Sequence, residues 1–167
     1  MLKPSTTAPA LVVPRLSGTE FDLTKTDRET FIVFYRGLHC PACRRQLEAL
    51  VPYLADFEDR GIDVIAVSMD TKDRASGARE EWDIAGIDIG YAMSEATARD
   101  WGLWISERVV DKEPPIFSEA AMTWVGSDKT VLAHWQQSVP FARPPFPDIL
   151  SGIDFVRTNN RPPRGSA

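Results

Sequence analysis

Residues 31–44 read Phe31-Ile32-Val33-Phe34-Tyr35-Arg36-Gly37-Leu38-His39-Cys40-Pro41-Ala42-Cys43-Arg44. The segment from Phe31 to Arg36 is an almost unbroken apolar run, the pattern of a central strand covered on both faces. Beyond it, Leu47, Leu50, Val51, Leu54 and Phe57 fall at offsets 0, 3, 4, 7 and 10 and form one helical stripe. The spacing predicts a helix from about residue 41, with Pro41 in the first turn, where its missing N–H costs nothing. Pro52 falls inside the stripe and should kink it, and Gly61 should stop it. Ile62–Ser68 then reads as a second buried strand. A strand, a helix and a strand in this order imply a parallel pair.

Outward from this unit, residues 10–23 read as a short strand, a turn at Ser17-Gly18 and a second strand around Phe21–Leu23. Residues 72–83 are expected to be helical, 89–92 a short strand, and Ser94 to Trp101 a helix stopped at Gly102. Residues 105–119 are charged and contain Pro114-Pro115, the signature of an exposed loop. Residues 121–125 and 130–135 read as a hairpin turning at 126–129. Pro140, Pro144 and Pro145 argue against a helix over 136–145, and a last helix is expected over about 146–157. The order β-β-α-β-α-(β)-α-β-β-α resembles the thioredoxin-like plan, which implies an α/β three-layer α/β/α sandwich with a mixed sheet, here with an N-terminal extension similar to the peroxiredoxin type and a middle insertion. The expected organisation is one domain over 1–158 and a polar, Pro-rich, frayed tail over 159–167.

The chain has 167 residues, 43% of them hydrophobic and 26% charged, with net charge −5. These are globular proportions, and the acidic balance argues against a nucleic-acid binder. No run of about 18 apolar residues is present, so no membrane-spanning helix is expected. Residues 1–15 carry Lys3, Pro4, Pro9, Pro14 and Arg15 and lack the apolar core of a signal peptide, so the expected setting is cytoplasmic. Both cysteines lie in the window Cys40–Cys43. Two cysteines cannot staple a secreted scaffold, close a four-cysteine zinc site or hold an iron–sulfur cluster alone.

Cysteines at i and i+3 on a helix start are neighbours and can close a disulfide or share a proton. The helix N-terminus offers unpaired N–H groups and a positive dipole end, which stabilise a thiolate. Arg36, Arg44 and Arg45 flank the window, and no carboxylate lies between Glu29 and Glu48. Such a thiolate reacts with peroxides or with disulfides. The blander alternatives are inert cysteines or half of a metal site. His39 reads either as a charge or proton carrier beside Cys40 or as an exposed loop histidine. His134 sits on the second strand of the late hairpin, where a copper site with Cys40 and Cys43 is conceivable but a half-buried strand histidine is favoured. A c-type haem needs histidine after Cys43, and Arg44 stands there. The five tryptophans read as packing, Asp70, Lys72 and Asp73 as an ordinary helix start, and Glu107 and Arg108 as solvated.

Phe34 to Arg44 resembles the peroxiredoxin-like branch of the alkyl hydroperoxide reductase/thiol-specific antioxidant (redoxin) family. Looser matches are Ala8-Pro9, Gly18 and Leu23, then Val67-Ser68-Met69-Asp70, Met93-Ser94-Glu95 through Leu103, and Trp124-Val125 through Val131. Together they cover roughly residues 5–157. The resemblance implies two schemes. In the peroxiredoxin pattern Pro-x-x-x-Thr-x-x-Cys, Cys43 attacks peroxide, with Cys40 in place of the threonine and Arg36 in place of the proline. In the thioredoxin pattern Cys-x-x-Cys, Cys40 attacks and Cys43 resolves.

Three positions depart from these patterns. The buried thioredoxin carboxylate is Phe34 here. The cis-proline falls near Ala120, where a trans bond is expected. Glu119-Ala120-Ala121 lacks the peroxiredoxin arginine, so a peroxidase needs another guanidinium, Arg36 or Arg143. The topology brings strand 130–135 back to the cysteine edge, and residues 136–143 should overhang Cys40, with Arg143 lining the site. The resemblance implies a thiol-dependent antioxidant oxidoreductase cycling between dithiol and disulfide at Cys40/Cys43. Cys40 and Cys43 are the catalytic residues, supported by Arg36, His39 and Arg143, with no cofactor and no resident metal. Its substrate is a peroxide or a disulfide and its reductant a dithiol such as a thioredoxin. Oligomeric state stays open, although redoxins often dimerise. The alternatives are thiol–disulfide exchange on protein substrates and, without catalysis, a thiolate copper or zinc carrier.

Overall fold

The computed structural model describes residues 2–165. Strand β3 (Glu29–Phe34) lies at the centre of a five-stranded sheet. On one side it pairs in parallel with β4 (Ile62–Val67), and β4 pairs in parallel with the short β5 (Asp88–Gly90). On the other side it pairs antiparallel with β8 (Ala121–Val125), and β8 with β9 (Val131–Gln136). The sheet is therefore mixed, in the order β5-β4-β3-β8-β9. Residues Phe31 to Phe34 are all fully buried. Phe31 and Val33 join one apolar cluster with the helices that follow β3, while Ile32 and Phe34 join a second on the opposite face. Burial on both faces is why the run shows no alternation.

The first layer consists of α1 (Pro41–Leu50), α2 (Leu54–Asp59), α3 (Lys72–Glu81) and α5 (Phe146–Thr158). The predicted kink at Pro52 is a 3-10 turn over Val51–Tyr53 that separates α1 from α2. The second layer is the hairpin of β1 (Val12–Pro14) and β2 (Glu20–Asp22), together with α4 (Glu95–Asp100). Ser94 caps α4 by accepting the Thr97 amide at 3.0 Å, and Gly102 ends that segment in the left-handed region. Trp101 sits fully buried in this layer, its ring 5.2 Å from that of Phe34 and its indole N–H donating to the Ala10 carbonyl at 3.2 Å. Replacing Trp101 with alanine should lower unfolding stability by about 3–5 kcal/mol, read as a shift of the urea midpoint.

Two expectations need correction. The strand expected over 89–92 is Asp88–Gly90, because Ala92 already takes a positive φ. Residues 105–119 are not an exposed loop. They contain an antiparallel pair, β6 (Ile105–Glu107) and β7 (Ile116–Ser118), with Phe117 and Ser118 buried. The charges suggested solvent, but Glu113 and Glu119 turn back onto Arg36 and the Phe117 ring packs beneath it. Residues 136–145 hold no helix, as expected. Residues 1, 166 and 167 of the predicted domain and tail lie outside the described residues. The Asn159 and Arg161 amides close α5 on the carbonyls of Phe155 and Val156.

The register aligns Phe34 with Ala121 and Ala121 with Gln136. The end of β3, the start of β8 and the end of β9 therefore share one edge of the sheet. The cysteine window leaves β3 there, and the 137–145 segment leaves β9 there.

Candidate active site

The turn from β3 into α1 is built by Gly37, which has φ +129°, a value that side chains rarely adopt. Cys40 then donates its amide to the Gly37 carbonyl at 3.0 Å and takes extended backbone angles as the N-cap of α1, with Pro41 next. Its Sγ accepts the Cys43 amide at 3.2 Å, so a sulfur does the work that an oxygen does at most caps. One turn further on, Cys43 Sγ is fully buried and faces two donors, the Arg36 amide and the Arg143 guanidinium, each at 3.4 Å. Both cysteines are free thiols.

The two sulfurs titrate in opposite directions. Cys40 is lowered from the usual thiol value to about 6, chiefly by a hydrogen bond from the Cys43 thiol. Burial opposes the shift, and the Cys43 amide, Arg143 and Arg36 reinforce it. Cys43 is pushed up, first by burial and then by its hydrogen bond to Cys40 and the charge there. The opposite shifts favour the proton on Cys43 and the negative charge on Cys40.

The structure brings Arg143 to this pair and leaves the Arg36 side chain away from it. Arg36 spends its guanidinium on Glu119 at 3.3 Å, Glu113 at 3.5 Å and the face of Phe117 at 4.8 Å. Its only hydrogen bond to a thiol is the backbone N–H to Cys43 Sγ, while the charge of the guanidinium adds a smaller pull on Cys40 from a distance. Arg44 turns toward Glu48, at 2.7 Å. His39 is buried, not an exposed loop histidine. Its ring packs 4.8 Å from Phe117, with Nδ1 3.4 Å from Arg74, and burial, aided by Arg36, lowers its pKa and so disfavours the charged form. His134 bonds to the Thr123 hydroxyl at 2.9 Å across the hairpin. Among the described residues no group of three His, Cys, Asp or Glu side chains is placed to hold a metal ion.

Two residues of the site do not read as functional in the sequence: Gln46 is not singled out there, and Asp70 reads as part of an ordinary helix start. Gln46 lies one helical turn after Cys43, is buried, and accepts from Arg143 while donating to Met122 Sδ at 3.2 Å. Its i+3 spacing from Cys43 was the available signal. Asp70 is not an ordinary helix start. Thr71 is the N-cap of α3, and Asp70 is buried beneath the Gly37–Leu38 turn. Beside the helix start, Ala42, Tyr53, Phe141, Phe146, Arg45 and Arg143 line an open cleft of about 380 Å³. Cys40 is buried, with 2% of its surface exposed, and a thiolate there with a proton on its neighbour and a guanidinium beside the pair can attack an O–O or S–S bond.

Among known proteins, the model of the AhpC/TSA family matches residues 4–132. No curated protein matches the sequence. A solved peroxidoxin BcpB from Mycobacterium tuberculosis superposes with TM-score 0.73 at 16% identity, covering 94% of this chain and 99% of that one. A peroxiredoxin-like protein from Aquifex aeolicus gives TM-score 0.76 at 19% identity, covering 93% and 88%. Reduced Prx3 from Vibrio vulnificus, in complex with hydrogen peroxide, gives 0.77 at 13% identity, covering 92% and 99%. These likenesses show the fold, a thioredoxin-like α/β architecture.

Proposed function

The chain belongs to the AhpC/TSA family, and from that premise we propose that it reduces hydroperoxides by cycling Cys40 and Cys43 between dithiol and disulfide, with Cys40 attacking. It is a thiol-dependent antioxidant oxidoreductase. The observation that supports this assignment best is the Cys40 cap: its sulfur accepts the Cys43 amide at 3.2 Å and carries the negative charge of the pair.

The Cys40 thiolate attacks one peroxide oxygen, the O–O bond breaks, and the departing oxygen leaves as an alcohol or water after taking a proton. Cys40 is then a sulfenic acid. The Cys43 sulfur attacks it, the S–O bond breaks, water leaves and the disulfide closes. A dithiol reductant of the thioredoxin type returns two electrons and two protons. Hydrogen peroxide bound to the Vibrio vulnificus relative is consistent with the smaller substrate. The apolar cleft past Ala42 has room for the tail of an organic hydroperoxide. The setting in this proposal is the cytoplasm, where glutathione and thioredoxin keep such a pair reduced.

A second reading has Cys43 attack, and the 3.4 Å contact from Arg143 favours it. Both readings predict the same stoichiometry. Reduced protein mixed with hydrogen peroxide or an organic hydroperoxide should lose two thiols per peroxide consumed and gain an intramolecular disulfide, followed by thiol titration and intact mass. Thiol loss no faster than that of free cysteine sinks the peroxidase reading.

A further inference from the structure

The side chain of Asp70 is completely enclosed. One carboxylate oxygen accepts the Leu38 amide at 2.7 Å and the other the Arg74 Nε at 2.7 Å. The Asp70 amide donates to Ser68 Oγ at 3.2 Å, which fixes the residue in the segment just after β4. A methyl group on Gly37 would stand 2.6 Å from the carboxylate, so turn and carboxylate are in direct contact. That turn spans Arg36, whose amide faces Cys43 Sγ, to Cys40, whose amide bonds back to Gly37. We propose that Asp70 is the positioning residue of the thiol site. From the segment that follows β4 it holds the Arg36–Cys40 turn in the shape that aims the Arg36 N–H at Cys43 Sγ and sets Cys40 at the helix cap, where its sulfur meets the Cys43 amide.

A carboxylate is a surprising choice near a thiolate, since its charge alone disfavours one. Its charge is met by Arg74, which also reaches His39, while Arg36 is answered by Glu113 and Glu119. Arg143 is the cation in direct contact with a sulfur of the pair. The position of the turn, and not the sign of Asp70, is therefore the quantity that reaches Cys40.

This gives the test a sign. Alkylation of the reduced protein by iodoacetamide, followed against pH, reports the Cys40 thiolate, and in the unaltered protein half of the full rate is expected near pH 6. If Asp70 acts by position, Asp70→Asn, which keeps an acceptor for Leu38, moves the midpoint up. Asp70→Ala, which keeps none, moves it further, by about one pH unit or more. If Asp70 acts only by charge, both variants move it down equally. Gly37→Ala pushes the turn off an intact carboxylate and should also raise the midpoint. The peroxide rate should fall about tenfold to a hundredfold in step with the misplacement. Near-UV circular dichroism identifies the variants that keep the fold. An unchanged or lowered midpoint in the folded variants overturns the proposal.

The proposal rests on Cys40–Cys43 being the reacting pair, but the alkylation arm uses no peroxide. A failure of peroxidase activity and a failure of the positioning role are thus read separately.

Discussion

Cys40→Ser is expected to abolish rapid peroxide consumption, while Cys43→Ser completes one turnover and stops. With Cys40 at about 6, roughly nine-tenths of it is thiolate at pH 7. Cys43 is raised by burial and by the charge on its neighbour, so its own sulfur is held as a thiol. A serine hydroxyl at position 40 is not ionised in this range, and the rate should fall by about a thousandfold or more. Serine at position 43 replaces the thiol donor to the Cys40 sulfur with a hydroxyl donor and keeps the backbone amide that caps it. The first step survives and the second cannot occur. Stopped-flow kinetics under single-turnover conditions, with sulfenic acid trapped by a diketone probe, distinguish the outcomes. A fast first step in Cys40→Ser and none in Cys43→Ser would reverse the roles of the two sulfurs.

Arg143→Ala should slow the same first step by about a hundredfold, close to what loss of one preorganised donor costs in other sites. The guanidinium contacts Cys43 Sγ at 3.4 Å and lends positive potential to both sulfurs, so its loss raises the pH at which Cys40 ionises. It also leaves the buried carboxamide oxygen of Gln46 without its donor. An orphaned acceptor of that kind costs about 1–3 kcal/mol, so the unfolding midpoint should drop as well. Arg143→Lys keeps the charge but not the fork that spans Gln46 and Cys43, and its rate should lie between the two. Rates at pH 6 and pH 8 separate the effects: the part due to ionisation recovers at the higher pH, and the part due to positioning does not.

The core of the fold was legible because its signals are local. Phe31 to Phe34 are apolar without alternation because both faces of β3 are covered. Pro41, Pro52 and Gly61 punctuate the helix that follows, at positions set by backbone chemistry alone. Arg143 was legible one step further out, since two antiparallel strands from the cysteine edge must return to it. The remaining parts depend on pairs distant in the chain. Asp70 meets Leu38 across 32 positions, and its neighbours Thr71 and Asp73 give it the look of a helix start. Glu113 and Glu119 are ordinary loop charges until Arg36 faces them across the flap of β6 and β7. Composition told apart solvent-facing from core-facing segments well, but it could not tell a solvated carboxylate from one paired at a distance.

The sulfur cap of α1 also bears on the electrochemistry of the couple. In the reduced protein the Cys40 thiolate completes a helix end and balances its dipole. Disulfide formation removes that charge. Whatever stability the cap adds to the dithiol form is subtracted from the driving force for oxidation, and about 1.4 kcal/mol corresponds to about 30 mV in a two-electron couple. The midpoint potential should therefore lie on the oxidising side of an unconstrained dithiol, so that the disulfide, once formed, readily draws electrons from its reductant.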